Sequence, residues 1–473
     1  MTQYPVTSII ISNTDLFNGG GILQMSKFET NLSEGNVATQ LIKFSLPFLV
    51  SNLIQSLYNV ADMLIVGNFS GTNSLSGVNI GGQITFVLTN IIVGLCTGGT
   101  VLIAQYLGAN KRENMKKVTA TLMTTLLIGA VVITAAMLIL KVPILRLMQT
   151  PSESFSEANR YLTVTVSGII FIFGYNAFSA ILRGMGDSKR PFYFVLIACV
   201  TNIAMDLLLV GAFHLGAFGA AAATVFSQAL SMILCMVYLM RNDFIFDFRP
   251  SSFRIDRFSL KKIFQIGLPS AVQNGVTGLS FMIITTLANV IGGVEASAAV
   301  GVVSKFNGFA IMPAVAMGAS ISTMCAQNIG ASRWDRALKA CKIGTGIAAF
   351  VSFVIFVLAE LFPAQILSMF DSNPDMIAYG ITYIRPFALD YLVVPFCFCI
   401  NGLYIASGHT TFSLINSMMS ALLLRIPACI LISTVFGLGI AGVGMGAPIA
   451  SAGSLLLIIW FYFSGKWRKN LAQ

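Results

Sequence analysis

Charged residues are scarce in this 473-residue chain: they make up 10% of the sequence, whereas hydrophobic residues make up 56%. A soluble protein of this length needs far more charge to cover its surface, so the composition excludes an ordinary soluble protein. Residues 121–140 hold no charge, and twenty residues are enough to cross a hydrocarbon core of about 30 Å as a helix. The ten-residue alternation of a membrane β-barrel is absent. We therefore predict an all-α integral membrane protein.

The sequence also lacks histidines and cysteines at the spacings typical of metal sites. The two histidines fall at predicted loops, and none of the eight cysteines belongs to a CxxC pair. We therefore expect buried, apolar cysteines, and neither a disulfide framework nor a metal cage. The phosphate-binding loop GxxxxGK[ST] is absent too, which argues against direct coupling to ATP. We expect neither an enzyme nor a cofactor.

Twelve apolar segments are long enough to cross a bilayer as helices. In chain order, spans 1 to 12 are 39–66, 77–104, 118–140, 161–182, 191–211, 217–240, 262–289, 297–324, 340–361, 378–404, 411–435 and 441–464. The predicted domains are an N-terminal segment (1–38), a first six-span lobe (39–240), a linker (241–261), a second lobe (262–465) and a C-terminal tail (466–473).

Basic residues lie mostly on the side of the spans that carries both termini. The connection after span 2 holds four of them and its counterpart after span 8 holds three, whereas the connections on the opposite side hold three in total. The positive-inside rule therefore predicts that both termini and the linker lie in the cytoplasm. We expect a multi-pass protein of the cell inner (plasma) membrane. The net charge of +10 reflects this topology, and we expect no nucleic-acid partner.

The two halves of the chain repeat each other at a constant shift. Pro47 matches Pro269, and at the same shift AQYLGANKREN at 104–114 matches AQNIGASRWDR at 326–336. We call this alignment of the two halves the repeat register. Near the end of each half it slips by one residue. Because each half holds six spans, an even number, both lobes run in the same direction through the bilayer. Parallel pseudo-symmetric lobes are typical of alternating-access transporters.

Pro47 and Pro269 lie within the first span of each lobe. A proline removes one backbone hydrogen bond and clashes with the preceding turn, so each helix should kink there. Two interpretations remain open, a static kink and a hinge. We predict hinges, and the hinge in span 1 lies on the same helix as Asp62.

Only three acids lie well inside the spans: Asp62, Asp206 and Asp390. A carboxylate at mid-membrane costs about 2.5–3.5 kcal/mol, so each is a candidate functional residue. Asn202 precedes Asp206 by one helical turn and shares its face. At 1.5 Å per residue, Asp62, Asp206 and Thr224 of span 6 all lie within about 6–11 Å of the outer boundary. These side chains can therefore converge in one layer.

Asp62, Asn202, Asp206 and Thr224 are the predicted cation-coupling residues. Their oxygens suit a hard cation, so all four are metal ligands if Na⁺ is the coupling ion. Two acids close together in a low dielectric also suit a proton carrier. A third interpretation is that each acid only bonds a backbone group or a hydroxyl. The second lobe has lost every polar member of this set, which favours a dedicated site in the first lobe.

The second lobe carries its own charges within the spans, namely Lys305 on span 8, Arg385 and Asp390 on span 10, and Arg425 on span 11. Asp390 and Arg425 both lie near mid-depth, where an interhelical ion pair would fit, with either a structural or a substrate-binding role. Tyr58 and Asn59 of span 1 are further candidates, for the substrate cavity or for packing.

In order and spacing, these motifs resemble the multidrug and toxic compound extrusion (MATE) family of cation-coupled antiporters. The resemblance covers about 40–465 and rests on Pro47 with Asp62, AQYLGANKREN, LRGMGDSKRP at 182–191, NIAMD at 202–206 and FGAAAAT ending at Thr224. It implies two six-helix lobes forming a V-shaped cavity, and export of organic, often cationic, compounds in exchange for Na⁺ or H⁺. It also implies a first-lobe cation site at Asp62, Asn202, Asp206 and Thr224.

We expect a monomer whose partners are the lipid bilayer and a small organic substrate. The rival hypothesis is a lipid-linked precursor flippase of the same superfamily, in which Arg425, Arg385 and Lys305 would hold a phosphate. At the N-terminus, Met25 is followed by a sequence that resembles an ordinary cytoplasmic start, and we expect translation to begin there.

Overall fold

The computed structural model describes residues 27–242, 244–370 and 373–471, so the start expected at Met25 lies outside the described residues. These residues form helices without a β-strand, which confirms the all-α fold. In chain order, the α-helices are α1 (Val37–Gly108), α2 (Arg112–Leu147), α3 (Ser152–Ser167), α4 (Ile169–Gly184), α5 (Lys189–Asp206), α6 (Gly216–Met240), α7 (Arg257–Ala310), α8 (Met312–Gly330), α9 (Trp334–Leu361), α10 (Pro363–Ser368), α11 (Pro374–Ala388), α12 (Asp390–Ala406), α13 (Thr410–Met418), α14 (Ile426–Ile430) and α15 (Gly439–Phe463).

Glycines divide the two longest helices into separate spans. At 1.5 Å per residue the 72 residues of α1 would extend to about 108 Å, far more than a bilayer. The backbone of Gly71, with φ 75° and ψ 179°, interrupts α1 and separates span 1 from span 2. Gly292 and Gly293 interrupt α7 in the same way, and the second part of α7 continues with α8 as span 8. Gly293, with φ 68°, is the equivalent of Gly71 in the repeat register.

Two further spans are bent rather than straight. Span 4 consists of α3 and α4, which meet at 49°, and span 10 consists of α11 and α12, which meet at 46°. Span 11 is α13 and α14 with two π turns, at Met419–Arg425 and Leu431–Val435. Single helices supply spans 3, 6, 9 and 12, and α5 with a following π turn supplies span 5. The described residues thus contain twelve spans.

The internal repeat read from the sequence is present in the backbone. Gly186 and Gly408, which match in the repeat register, both adopt a left-handed conformation, with φ of 85° and 88°. His214 and Gly437 are also left-handed, and their separation exceeds the register by a single position. This larger separation is the one-residue slip seen near the end of each half.

The two lobes share a core at one end of the molecule only. We call the face on which the described chain ends lie the terminal face and the opposite one the distal face. The largest apolar core joins spans of both lobes near the terminal face, and includes Ile103, Ile263 and Met324. Distally the lobes have separate cores, represented by Val66 in the first and by Ala288 in the second. The lobes therefore join at the terminal face and separate distally, as in the predicted V shape.

The segments that flank the bundle brace the terminal face in equivalent ways. The backbone N–H of Thr30, before span 1, donates to the carbonyl of Met185 at 2.9 Å. The N–H of Leu471, after span 12, donates to the carbonyl of Ser407, also at 2.9 Å. Met185 and Ser407 match in the repeat register, so each segment binds the same connection of its own lobe.

Each segment also reaches the other lobe through a glutamine. The N–H of Leu32 donates to Oε1 of Gln327 at 2.9 Å, and Nδ2 of Asn470 donates to Oε1 of Gln105 at 2.9 Å. Gln105 and Gln327 again occupy equivalent positions of the repeat. The terminal face is therefore closed by a pseudo-twofold set of hydrogen bonds between the lobes.

Candidate functional site

The candidate site lies in the distal half of the first lobe, where spans 1, 5 and 6 meet. Asn202 and Asp206 lie one turn apart on α5, and their exposed fractions are 1% and 0%. The α-helix ends at Asp206 and continues as a π turn over Leu207–Ala212. Such turns are wider than an α-helix and are frequent at functional sites. Here the wider turn directly follows the buried acid.

The four predicted side chains meet as two neighbouring pairs. The carboxyl group of Asp62, on span 1, lies at hydrogen-bonding distance from that of Asp206. One turn away, Nδ2 of Asn202 lies 3.5 Å from Oγ1 of Thr224 on α6. The convergence expected from depth alone is therefore present in the structure.

Several buried oxygens of this cluster lack a hydrogen-bond donor. Apart from the contact between the two carboxyls, Oδ1 of Asp62, Oδ1 of Asn202 and both carboxyl oxygens of Asp206 accept no hydrogen bond from the described residues. Buried polar atoms are nearly always paired, because an unpaired one has lost its hydration. For Asp206, the described residues therefore give no support to a purely architectural role. A proton or a hard cation would satisfy these acceptors.

Tyr161 of span 4 forms one wall of the site and was not among the predicted residues. It is buried, and its hydroxyl lies close enough to Asp62 and Asp206 to interact with them electrostatically. A Cβ on Gly81 would lie 2.5 Å from the ring, so this glycine lets Tyr161 pack against span 2. The internal repeat could have indicated this residue, because its equivalent in the second lobe, Tyr383, is also a tyrosine.

Tyr58 of span 1 also interacts with both carboxyls, whereas the neighbouring Asn59 is exposed and lies outside the buried cluster. Tyr58 and Asn202 line a cavity of about 10 Å³, which is roughly the room needed for the centre of one water molecule. Gln55, Ser227 and Gln228 add polar groups to the same cavity. Polar surface therefore continues from the acid pair toward the terminal face.

In the second lobe, Asp390 begins α12 at the bend of span 10 and is buried. Its carboxyl lies near Ser451 and interacts with Arg425 electrostatically. The ion pairs within the described part of the chain do not include a direct contact between these two charges. The expected ion pair is thus corrected to an electrostatic interaction without direct contact, and Arg425 also interacts electrostatically with Tyr383. Lys305 and Arg385 are exposed.

The helices pass through both predicted hinge prolines without interruption. Backbone angles stay helical at Pro47 in α1 and at Pro269 in α7, and the non-helical angles lie at the glycines between spans. A proline nevertheless frees the carbonyl four residues before it. The two freed carbonyls have different surroundings.

In the second lobe, the carbonyl freed by Pro269 belongs to Gln265 and accepts a hydrogen bond from the hydroxyl of Thr410 at 3.2 Å. In the first lobe, the freed carbonyl belongs to Lys43, and no side chain among the described residues donates to it. The equivalent of Thr410 in the repeat register is Ser188, whose hydroxyl makes no hydrogen bond with the described residues. Span 7 is therefore fixed at its proline by a contact that span 1 lacks.

Comparison with known proteins places these features in one family of sequences. Residues 47–208 and 269–431, one stretch in each lobe, match the MatE family. The chain is 30% identical over 445 residues to the probable multidrug resistance protein YoeA of Bacillus subtilis, an alignment that covers 93% of this chain and 96% of the relative. It is 23% identical over 437 residues to an FAD transporter of Shewanella oneidensis, covering 89% of this chain and 93% of that one.

Solved structures have the same fold. One is the outward-facing conformation of a multidrug resistance MATE family transporter of the MOP superfamily, with a TM-score of 0.88 at 22% identity, covering 93% of this chain and 98% of that chain. Another is a MATE protein in complex with MaL6, with a TM-score of 0.86 at 24% identity, covering 92% of this chain and 97% of that chain. These similarities confirm the predicted twelve-span, two-lobe architecture.

Proposed function

Because this chain belongs to the MATE family of efflux transporters, we propose that it is a secondary active antiporter that exchanges Na⁺ or H⁺ for small organic compounds. Relatives named as multidrug resistance proteins support organic substrates of more than one kind. We further propose that the terminal face lies in the cytoplasm and that the protein resides in the plasma membrane, since the basic connections lie on that side.

The observation that carries this proposal is the contact between the carboxyl groups of Asp62 and Asp206 inside the first lobe. Two carboxylates this close in a low dielectric repel each other strongly unless a cation or a proton neutralises one of them. The unpaired oxygen of Asn202 and the hydroxyl of Thr224 lie on the same face and add neutral ligands. The site therefore offers binding energy to a small cation that enters from the distal side.

Coupling follows if cation binding moves span 1. A cation held by Asp62 and Asp206 draws span 1 toward α5, and removal of the cation restores the repulsion between them. Pro47, fifteen residues before Asp62, weakens the same helix near the terminal face. Rearrangement of span 1 would change the wall of the cleft between the lobes and lower the affinity for the organic compound. By linkage, the organic compound must lower the affinity for the cation by the same factor.

The test is efflux from proteoliposomes driven by an imposed Na⁺ gradient or an imposed pH gradient, applied separately. Asp206→Asn and Asp62→Asn should abolish the dependence on whichever gradient drives the wild type. Asp390→Asn is the matched control, because it removes a buried acid from the second lobe. If Asp390→Asn removes gradient dependence and the two first-lobe variants keep it, the coupling site lies in the second lobe and the proposal is wrong.

Substrate charge is tested in the same vesicles with a cationic and an anionic fluorescent compound. Export of the cationic compound is the expected result, because the two carboxyl groups make the first lobe favourable to positive charge. Export of the anionic compound alone, with no effect of either gradient, would contradict antiport and support the flippase hypothesis.

A further inference from the structure

A cavity of about 650 Å³ opens at the terminal face of the first lobe. Its walls are the segment before span 1, the first turns of span 1, the connection between spans 4 and 5, and the adjoining ends of spans 5 and 6. Its lining includes Lys43, Ser188, Lys189, Tyr193 and Tyr238. The cavity lies at the opposite end of the first lobe from the acid pair, and the proposed transport chemistry does not use it.

Two lysines give this cavity its charge. Arg190 also lines it, but its guanidinium pairs with the buried Asp187 and donates from Nε to the hydroxyl of Tyr238 at 3.1 Å. That pair is neutral as a unit. Lys43 and Lys189 are exposed, and their ammonium groups have no ion-pair partner among the described residues. The cavity therefore carries two uncompensated positive charges.

The second lobe differs from the first at the place equivalent to this cavity. There, the hydroxyl of Thr410 donates to the carbonyl of Gln265 at 3.2 Å. The residues at these two positions in the first lobe are Ser188 and Lys43, which both line the cavity and do not make this bond. The second lysine, Lys189, likewise has an uncharged equivalent in the repeat register. The two lysines are thus specific to the first lobe, and the hydrogen bond is found in the second lobe.

Two of the side chains that line the cavity are exposed tyrosines. Tyr193 is 57% exposed and Tyr238 is 37% exposed. Exposed tyrosines are enriched at the boundary between hydrocarbon and headgroups, where juxtamembrane lysines attract anionic lipids. The cavity thus combines a cationic interior with an edge suited to acyl chains.

We propose that this cavity binds the phosphate headgroup of an anionic lipid from the adjacent leaflet. The phosphate contacts the ammonium groups of Lys43 and Lys189, and the acyl chains leave past Tyr193 and Tyr238. The hydroxyl of Ser188 is available as a neutral donor. The bound headgroup lies beside the carbonyl freed by Pro47, where the second lobe has the Thr410 bond. The proposal requires only the membrane fold and is independent of the coupling ion.

The test is native mass spectrometry of the full chain released from detergent, titrated with phosphatidylglycerol, phosphatidylcholine or inorganic phosphate. The wild type should bind phosphatidylglycerol more tightly than phosphatidylcholine. The double variant Lys43→Gln/Lys189→Gln should bind phosphatidylglycerol about 30-fold more weakly, the effect of two juxtamembrane lysine charges. Lys43→Arg/Lys189→Arg keeps the charge and should retain binding.

The matched control is Lys339→Gln/Lys342→Gln, which removes two exposed lysines near the terminal face of the second lobe. Its affinity for phosphatidylglycerol should equal that of the wild type. The proposal is overturned if both glutamine double variants lose affinity equally, because that result indicates a general charge effect. It is also overturned if inorganic phosphate binds as tightly as phosphatidylglycerol, which would indicate a soluble phosphate ligand instead.

Discussion

Gly108 of span 2 packs directly on the carbonyl oxygen of Gln327 in span 8, so closely that a Cβ on the glycine would lie 1.9 Å from that oxygen. The contact is reciprocal, because a Cβ on Gly330 would lie 2.0 Å from the carbonyl oxygen of Gln105. The two lobes therefore cross at the terminal face through a pair of glycines, and only a residue without a side chain allows the helices to approach this far.

Gly108→Ala should separate the lobes at this crossing, because the obstructing atom belongs to a backbone and cannot rotate away. The expected loss of stability is about 1–3 kcal/mol or more, the usual cost of overpacking. The loss is measured as a decrease in the unfolding temperature in detergent, relative to the wild type. Gly129→Ala is the control, since no atom of the described residues lies within 4 Å of its Cβ position, and alanine in a helix is favoured over glycine by about 1 kcal/mol. Equal unfolding temperatures for the two variants would contradict the crossing.

Pro47→Ala should slow efflux more than Pro269→Ala. Alanine restores a backbone N–H, and the regained hydrogen bond favours an unbroken span 1 by about 1 kcal/mol, or about fivefold in rate if the helix must bend there. In span 7 the regained N–H must compete with Thr410 for the carbonyl of Gln265, so the change is smaller. Initial rates in proteoliposomes test this order. A larger defect in Pro269→Ala would place the hinge in the second lobe.

The acid pair was predictable because of a strong energetic constraint. A carboxylate in hydrocarbon is costly, so Asp62 and Asp206 stand out in any apolar segment, and helical rise fixes their depth. The same reasoning failed for Asp390 and Arg425, which share a depth but do not form an ion pair with each other in the described part of the chain. Depth follows from sequence position, whereas the direction of a side chain around its helix depends on packing between helices.

The repeat was predictable for a related reason. Glycines and prolines allow or impose particular backbone conformations, so equivalent positions of the two lobes need the same residue. The matched pairs Gly71 with Gly293 and Pro47 with Pro269 are therefore visible in the sequence. Tyr161 carries no such constraint, because an aromatic residue in an apolar helix is ordinary. Its role depends on the space that Gly81 leaves across span 2, and such a contact appears only once the helices are packed.

Gly81→Ala should weaken cation binding although both acidic residues of the site are unchanged. The added methyl group would lie 2.5 Å from the ring of Tyr161 and displace it from the wall of the site. Loss of a residue that supports cation ligands typically costs about 10-fold or more in affinity. Gly82→Ala is a close control, because its Cβ would lie 4.0 Å from the hydroxyl of Tyr161.

The measurement is the concentration of Na⁺ or H⁺ that gives half-maximal efflux, compared between Gly81→Ala and Gly82→Ala. A shift in the Gly81 variant alone is expected. Equal half-maximal concentrations in both variants would show that Tyr161 has no part in cation binding.

His409, in the connection between spans 10 and 11, should make stability depend on pH. Its Nδ1 lies 3.1 Å from the hydroxyl of Ser407, and its ring packs edge-on against Phe461. Partial burial lowers the pKa of His409 below its ordinary value of 6.5. The folded protein therefore binds a proton at this ring less readily than the unfolded chain does.

The sign of the effect follows from this difference. Well above pH 6.5 the ring is neutral in both states and stability is unaffected, whereas near and below pH 6.5 the unfolded chain takes up the proton first. Stability should therefore fall as the pH drops from 6.5 through the lower pKa of the folded state. His409→Gln removes the titrating group, so the unfolding temperature of the wild type minus that of the variant isolates it. A difference that stays constant between pH 7.5 and 5.5 would show that the ring titrates identically in both states, and burial would then have no influence on its charge.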